Sequence, residues 1–142
     1  MTDYLPQGQT ITGNYYSKLL VSLHENIKEK RRGMLGKGVR LLHDNAPAHS
    51  AHVSLQTAHN CGYEILPHPA YSPDLAPSDF FLFRELKKPL RGKRFDDNNE
   101  VIRKVEGWFS GQNGDFYSRG LKQVKHRWEK CVHIRGDYVE KD

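Results

Sequence analysis

With 142 residues, a net charge of +5 and 37% apolar residues, the chain has room for a single domain with one modest core. Its longest apolar run is far too short to span a membrane, Met1 is not followed by a signal-peptide pattern, and Cys61 and Cys131 neither form a disulfide framework nor match a zinc spacing. A membrane protein, a secreted disulfide scaffold and a zinc finger are therefore excluded, while reduced thiols fit a cytosolic or nuclear setting and the basic balance fits either a polyanionic partner or an ordinary basic soluble protein.

In chain order, Thr2–Leu5 reads as a strand remnant and Pro6-Gln7-Gly8 as a turn. Asn14 or Thr12 can cap a helix in which Tyr16, Leu20, Leu23 and Ile27 recur at helical spacing. Lys28, Lys30, Arg31 and Arg32 suit the carboxyl end of that helix, and Gly33 is expected to stop it. After a glycine-rich link, Val39–His43 reads as a strand. A helix over 50–60 should follow, with Ala51, Leu55 and Ala58 on its inner face and Gly62 just beyond its end. Tyr63–Leu66 reads as a second strand. Two short apolar runs separated by a helix-sized insert make a β-α-β unit.

The next loop, Pro67 to Pro77, is stiffened by four prolines. Ser78 should cap a helix carrying Phe81, Leu82 and Leu86, with Asp79 in its first turn and Pro89 at its end. Lys87, Lys88, Arg91, Lys93 and Arg94 form the densest basic cluster. Asp97 and Glu100 then make a capping-box-like start to a helix lined by Val101, Val105, Trp108 and Phe109. Gly111 and Gly114 should break the chain, Asp115 should open a short turn ending at Gly120, and Leu121, Val124, Trp128 and Cys131 should form a last helical stripe. A frayed tail is expected over 135–142.

Ligands of β-α-β units gather outside the carboxyl ends of the strands. Asp44 falls at such an end, and Asp79, separated from it by 34 residues, could return to the same edge through the proline loop. Two carboxylates on one edge suit a hard divalent cation, which prefers several oxygen ligands. On spacing alone each has an equally good local task, Asp44 as a turn former and Asp79 as a helix-start acid. His43 and His49 have no zinc-like partner set and read as hydrogen-bonding or loop-packing histidines. Asn45 could orient a metal-bound water or form an Asx turn. The basic cluster could contact phosphates or be a solvated face.

The words His43-Asp44-Asn45-Ala46-Pro47-Ala48-His49 and Tyr71-Ser72-Pro73-Asp74-Leu75-Ala76-Pro77-Ser78-Asp79-Phe80 resemble the mariner branch of the Tc1/mariner transposases. So do Leu66-Pro67-His68-Pro69, Gly92-Lys93-Arg94-Phe95, Phe116-Tyr117-Ser118-Arg119-Gly120 and Arg127-Trp128-Glu129-Lys130-Cys131-Val132, so the likeness covers nearly the whole chain. It implies an α/β fold: a single partial RNase H-like (DDE) catalytic domain over 1–142 that lacks its first strands. Within it, residues 1–13 would be a strand remnant and turn, 39–83 the acidic core and 95–134 a helical carboxyl-terminal part. The chemistry implied is metal-dependent DNA cleavage and strand transfer at transposon ends, with Mg²⁺ or Mn²⁺ as cofactor. Asp44 matches the second and Asp79 the third of the family's three acids, whereas Asp74 belongs to the loop motif.

The family's first acid lies on an opening strand far upstream of the second, and 43 residues precede Asp44 here. Asp3 is in the wrong place to substitute. The resemblance therefore implies the carboxyl-terminal part of a transposase, weak metal binding, no efficient cleavage by this chain alone, and an unpaired edge on Val39–His43. In this context Lys87, Lys88, Arg91, Lys93 and Arg94 are expected to contact the DNA backbone. DNA, a second copy or an intact transposase are the implied partners, and the nucleus the implied location. A non-enzymatic remnant that binds DNA or associates with a transposase is the alternative.

Overall fold

The computed structural model describes residues 1–137, which divide into two compact units between Tyr71 and Ser72. In the first unit, helix α1 (Gly13–Lys30) starts where the Thr12 hydroxyl accepts the Tyr15 N–H at 3.2 Å. This satisfies one of the amide donors that a helix start leaves unpaired. Leu20 is buried with Ala58 and Tyr63, and Tyr16, Leu23 and Ile27 pack around them, so the helical spacing of these four residues does describe the inner face. Gly33 does not stop the chain's helical course. It lies inside a second, short helix, α2 (Arg32–Leu35), and the break falls at Arg31.

Strand β1 (Val39–Leu41) runs parallel to β2 (Tyr63–Ile65), with Val39 opposite Tyr63 and Leu41 opposite Ile65. The Leu66 N–H donates to the Leu41 carbonyl at 2.9 Å, extending the pairing one residue beyond β2. The crossover between them is two helices, α3 (Pro47–Ser50) and α4 (His52–Asn60), where the sequence suggested one. Ala51, in an extended conformation at ψ 140°, separates them. The inner face of α4 is Ser54 and Ala58. Leu55 is 43% exposed, so its expected place in the core is not borne out. Ser54 wins that face because its hydroxyl lies 2.5 Å from the Ala48 carbonyl and 3.2 Å from that of Gly13, tying α4 to α1 where the helices nearly touch. A Cβ at Gly13 would lie 2.8 Å from that of Ala51. Thr2–Leu5 carries no strand. The segment runs without regular structure, and its Asp3 carboxylate accepts from the Tyr15 hydroxyl.

The second unit begins with a 3₁₀ turn (Pro73–Leu75) and a π-helical turn (Ser78–Leu82) that leads into α5 (Phe83–Leu90). Ser78 does not act as a cap: Pro77, already helical, precedes the turn and no side chain caps it. Pro89 lies inside α5 and the helix ends one residue later, because a proline in the last turn forfeits only one hydrogen bond. Asp97 caps α6 (Asn98–Ser110) by accepting the Glu100 N–H at 2.8 Å, while Glu100 accepts the Asp96 N–H at 2.7 Å.

Helix α7 (Gly114–His133) is one continuous helix of 20 residues, capped by the Asn113 side chain. The expected short turn ending at Gly120 is absent. Gly120 is an interior position where the Phe81 ring lies directly on the helix backbone. Phe81, Phe116, Val105, Val124 and Leu75 are this unit's buried apolar residues, and Phe116 contacts the rings of Phe81 at 4.9 Å and Trp108 at 5.5 Å. Leu121, expected on the inner stripe, is 61% exposed. The inner face instead follows 116, 120 and 124, set by where Phe81 needs room. Of the tail expected over 135–142, residues 138–142 lie outside the described residues.

Candidate acidic site and its surroundings

Asp44 lies three residues beyond β1, which ends at Leu41 and not at His43 as expected, with its side chain exposed past the strand's carboxyl end. Oδ1 accepts the Ala46 N–H at 3.0 Å, an Asx turn that Pro47 then carries into α3. The same oxygen lies 2.6 Å from His49 Nδ1. The Ala46 amide foremost, then His49, hold the Asp44 carboxyl below the usual carboxylate range, partly opposed by burial. Because the carboxylate is ionised, His49 donates from Nδ1. Both bonds fall on Oδ1, leaving Oδ2 open to a ligand.

Behind this pair, the His49 ring stacks on His43 at 5.1 Å with planes 5° apart, and Tyr16 covers His49 at 4.2 Å. Burial lowers the His43 pKa and the neighbouring His49 lowers it further. His43 is thus a neutral acceptor for the Tyr16 hydroxyl, 2.8 Å from its Nδ1. Burial, with the Asp44 charge in second place, pushes Tyr16 up to about 12. Both histidines therefore pack and hydrogen-bond as their sequence context suggested. Asn45 donates to the His68 carbonyl at 3.1 Å, joining the loop after β1 to the loop after β2. Tyr16, sixteen positions into the chain, was not legible as part of this cluster: its helical spacing marked it only as core.

Asp79 lies in the first turn of the π-helical segment of the second unit, exposed, with Phe80 and Phe81 directly after it. A π-turn inserts one extra residue per turn and is common at functional positions. Here Phe81 enters the core while Asp79 stays in solvent. Asp74 takes a structural part: its carboxylate accepts from Arg127 Nη2 at 3.2 Å and its carbonyl from Nε at 3.0 Å, while the guanidinium lies 4.4 Å from the Phe80 ring centroid. Trp128 Nε1 donates to the Leu75 carbonyl at 2.8 Å beside it. These contacts, which no sequence spacing announced, make Arg127-Trp128 the clasp of the proline loop.

Lys87 and Lys88 lie in the last turn of α5, and Arg91, Lys93 and Arg94 in the loop after it, all exposed. Lys88 pairs with Glu85 at 2.7 Å. For a hard cation, Asp44 and Asp79 supply suitable oxygen donors. The number of ligands is low, and among the described residues no three His, Cys, Asp or Glu side chains gather as a metal site.

A parallel β-α-β unit with an aspartate just beyond its first strand, followed by a helical unit with a second aspartate in its π-helical turn, fits the class that the likeness to solved structures shows: part of an RNase H-like domain of the DDE type. The transposase family described as a partial DDE domain matches residues 1–37. The crystal structure of the catalytic domain of Mos1 mariner transposase is 38% identical, with a TM-score of 0.89 over 96% of this chain and 68% of that one. The Mos1 mariner paired end complex with Mn is 41% identical, with a TM-score of 0.87 over 94% of this chain and 39% of that one. The Mariner Mos1 transposase of Drosophila mauritiana is 39% identical over 140 residues, 97% of this chain and 41% of its own length. The chain belongs to the mariner-type transposases and corresponds to the carboxyl-terminal part of their catalytic domain. It spans about two fifths of the length of that curated relative.

Proposed function

We propose that this chain is the part of a mariner-type transposase catalytic domain that supplies two of its three acidic metal ligands, Asp44 and Asp79. The observation that carries this reading is the state of Asp44. It is ionised, at a strand's carboxyl end, with Oδ1 fixed by the Ala46 amide and His49 and Oδ2 open. Mg²⁺ or Mn²⁺ is the cation proposed, in keeping with the Mos1 complex crystallised with Mn. When bound, such an ion makes a water or hydroxyl nucleophilic and stabilises the leaving oxygen of a phosphodiester. The chain's own residues position the carboxylates, while Lys87, Lys88, Arg91, Lys93 and Arg94 hold the DNA backbone.

Two carboxylates bind a hard cation weakly, so the 142 residues alone are proposed not to cleave DNA efficiently. The third acid comes from another segment or another chain. DNA cleavage and strand transfer at transposon ends then belong to the assembled protein, acting in the nucleus, with DNA and a second transposase copy as partners.

The test is Mn²⁺ binding followed by electron paramagnetic resonance, alongside nicking of a labelled duplex. Weak binding that drops in both Asp44→Asn and Asp79→Asn is the expected result. Equal binding in all three proteins would remove both residues as metal ligands, and metal-dependent nicking abolished by Asp44→Ala would remove the claim of inactivity. A non-enzymatic role in DNA binding is favoured by one observation, the exposure of the whole basic cluster; it predicts a salt-sensitive gel shift that survives Asp44→Asn.

A further inference from the structure

Helix α7 carries a second basic surface, separate from the cluster after α5. A cavity of about 720 Å³ is lined by Phe80 and by Ser118, Arg119, Lys122, Gln123 and His126 of α7. A smaller one, about 230 Å³, shares Phe80, Arg119 and Gln123 with it and adds Phe81, Arg84 and Glu85. The shared residues make the two a continuous trough, all of it within the second unit.

Its charges are unbalanced. Arg127 at one wall is already committed to Asp74 and to the Phe80 ring. Arg84, Arg119 and Lys122 make no ion pair among the described residues, and Glu85, the nearby carboxylate on α5, is taken by Lys88. Two acids line the trough: Glu85, which Lys88 pairs, and Asp115, at the amino end of α7, where it complements the helix dipole. Three uncompensated cations and His126 thus converge on one concave floor. Residues 119 to 126 rise about 10 Å along the helix, about three steps of one strand at about 3.4 Å of duplex axis each.

We propose that this trough is a nucleic-acid backbone track, in which Arg84, Arg119 and Lys122 contact successive phosphates. Arg127, held by Asp74 and Phe80, forms its rigid wall. The track begins at Phe80, the residue after Asp79, so a strand lying in it is led toward that carboxylate. This deepens the reading of the chain as a DNA-processing one and rests on it. It adds a contact surface beyond the basic cluster of Lys87 to Arg94.

The experiment is fluorescence anisotropy of a labelled duplex titrated with the full 142-residue chain over a range of salt. Three proteins are compared: the unaltered chain, Arg119→Gln/Lys122→Gln, and Lys87→Gln/Lys93→Gln/Arg94→Gln. Far-UV circular dichroism checks folding; all the substituted residues are exposed. Loss of two phosphate contacts should flatten the slope of log K against log salt by about 1.8 and weaken binding at least about tenfold near 0.1 M salt. An unchanged affinity and slope for Arg119→Gln/Lys122→Gln, while the unaltered chain binds, would overturn the track alone. No binding by the unaltered chain even at low salt would overturn the track and the DNA reading together. If the α7 pair weakens binding with a flatter slope whatever the other variant does, the track stands.

Discussion

Gly120→Ala puts two opposing effects in one residue. Gly120 is in the middle of α7, so alanine should gain about 1 kcal/mol of helix preference. The new methyl, however, would clash with the edge of the Phe81 ring, which is 9% exposed and packs at a tilt against Phe116. A tail-end contact could relax for a small penalty, but here the clash involves the ring itself. Phe81 must therefore leave its seat, and vacating a buried phenylalanine site costs about 3–5 kcal/mol. The net expectation is a loss of about 2–4 kcal/mol, set by the ring and not by the helix.

Both tryptophans, Trp108 and Trp128, lie in the second unit, and Trp108 contacts Phe116. Tryptophan fluorescence in a urea titration therefore reports this unit alone. Its midpoint should fall by about 1 M or more. Adding Phe81→Leu to Gly120→Ala should recover part of the loss, since the two positions share one space. A Gly120→Ala chain as stable as the unaltered one would refute the placement of Phe81 on α7. So would strictly additive losses in the double variant.

Further outcomes concern single contacts. Arg127→Met removes the Asp74 pair and should lower the stability of the second unit by about 2 kcal/mol, read by the same tryptophan signal. Asp97→Ala removes the cap of α6 and should cost about 1 kcal/mol, while Asp97→Asn, which retains the acceptor oxygen, should recover most of it. Tyr16 and Tyr63 are both raised to about 12, chiefly by burial. A raised folded-state pKa means that their contribution is complete below the ordinary value near 10 and is lost as pH rises toward 12. The first unit should therefore unfold in that alkaline window by circular dichroism, and Tyr63→Phe should weaken the pH dependence. The same substitution also removes the hydrogen bond to the Leu20 carbonyl, lowering stability at neutral pH by about 1 kcal/mol.

The local rules of the chain were legible residue by residue. Thr12 and Asp97 act through a short acceptor side chain next to free amides, chemistry that needs no distant partner; Asp97 caps where the spacing put it, and of the two candidates Thr12 and Asn14 it is Thr12 that caps α1. Tyr16, Leu20, Leu23 and Ile27 keep their face because one helix and one sheet leave a single place for it. The parallel pairing of 39–41 with 63–65 followed from two apolar runs too short for helices and a crossover of the right length. The motif words carried the family, which the match to the Mos1 catalytic domain supports.

What sequence left open was decided by packing between elements distant in the chain. Leu55 and Leu121 are apolar and at helical spacing, yet solvent takes them because Ser54 finds two carbonyls and Phe81 needs the bare backbone of Gly120. Gly120 itself reads as a helix breaker until the ring that fills its missing side chain is known. The Asp44–His49–His43–Tyr16 stack and the Arg127–Asp74–Phe80 clasp join residues up to 53 positions apart. Periodicity records which way a side chain points along its own element. What it meets there depends on the neighbouring element, and only the tertiary structure supplies that.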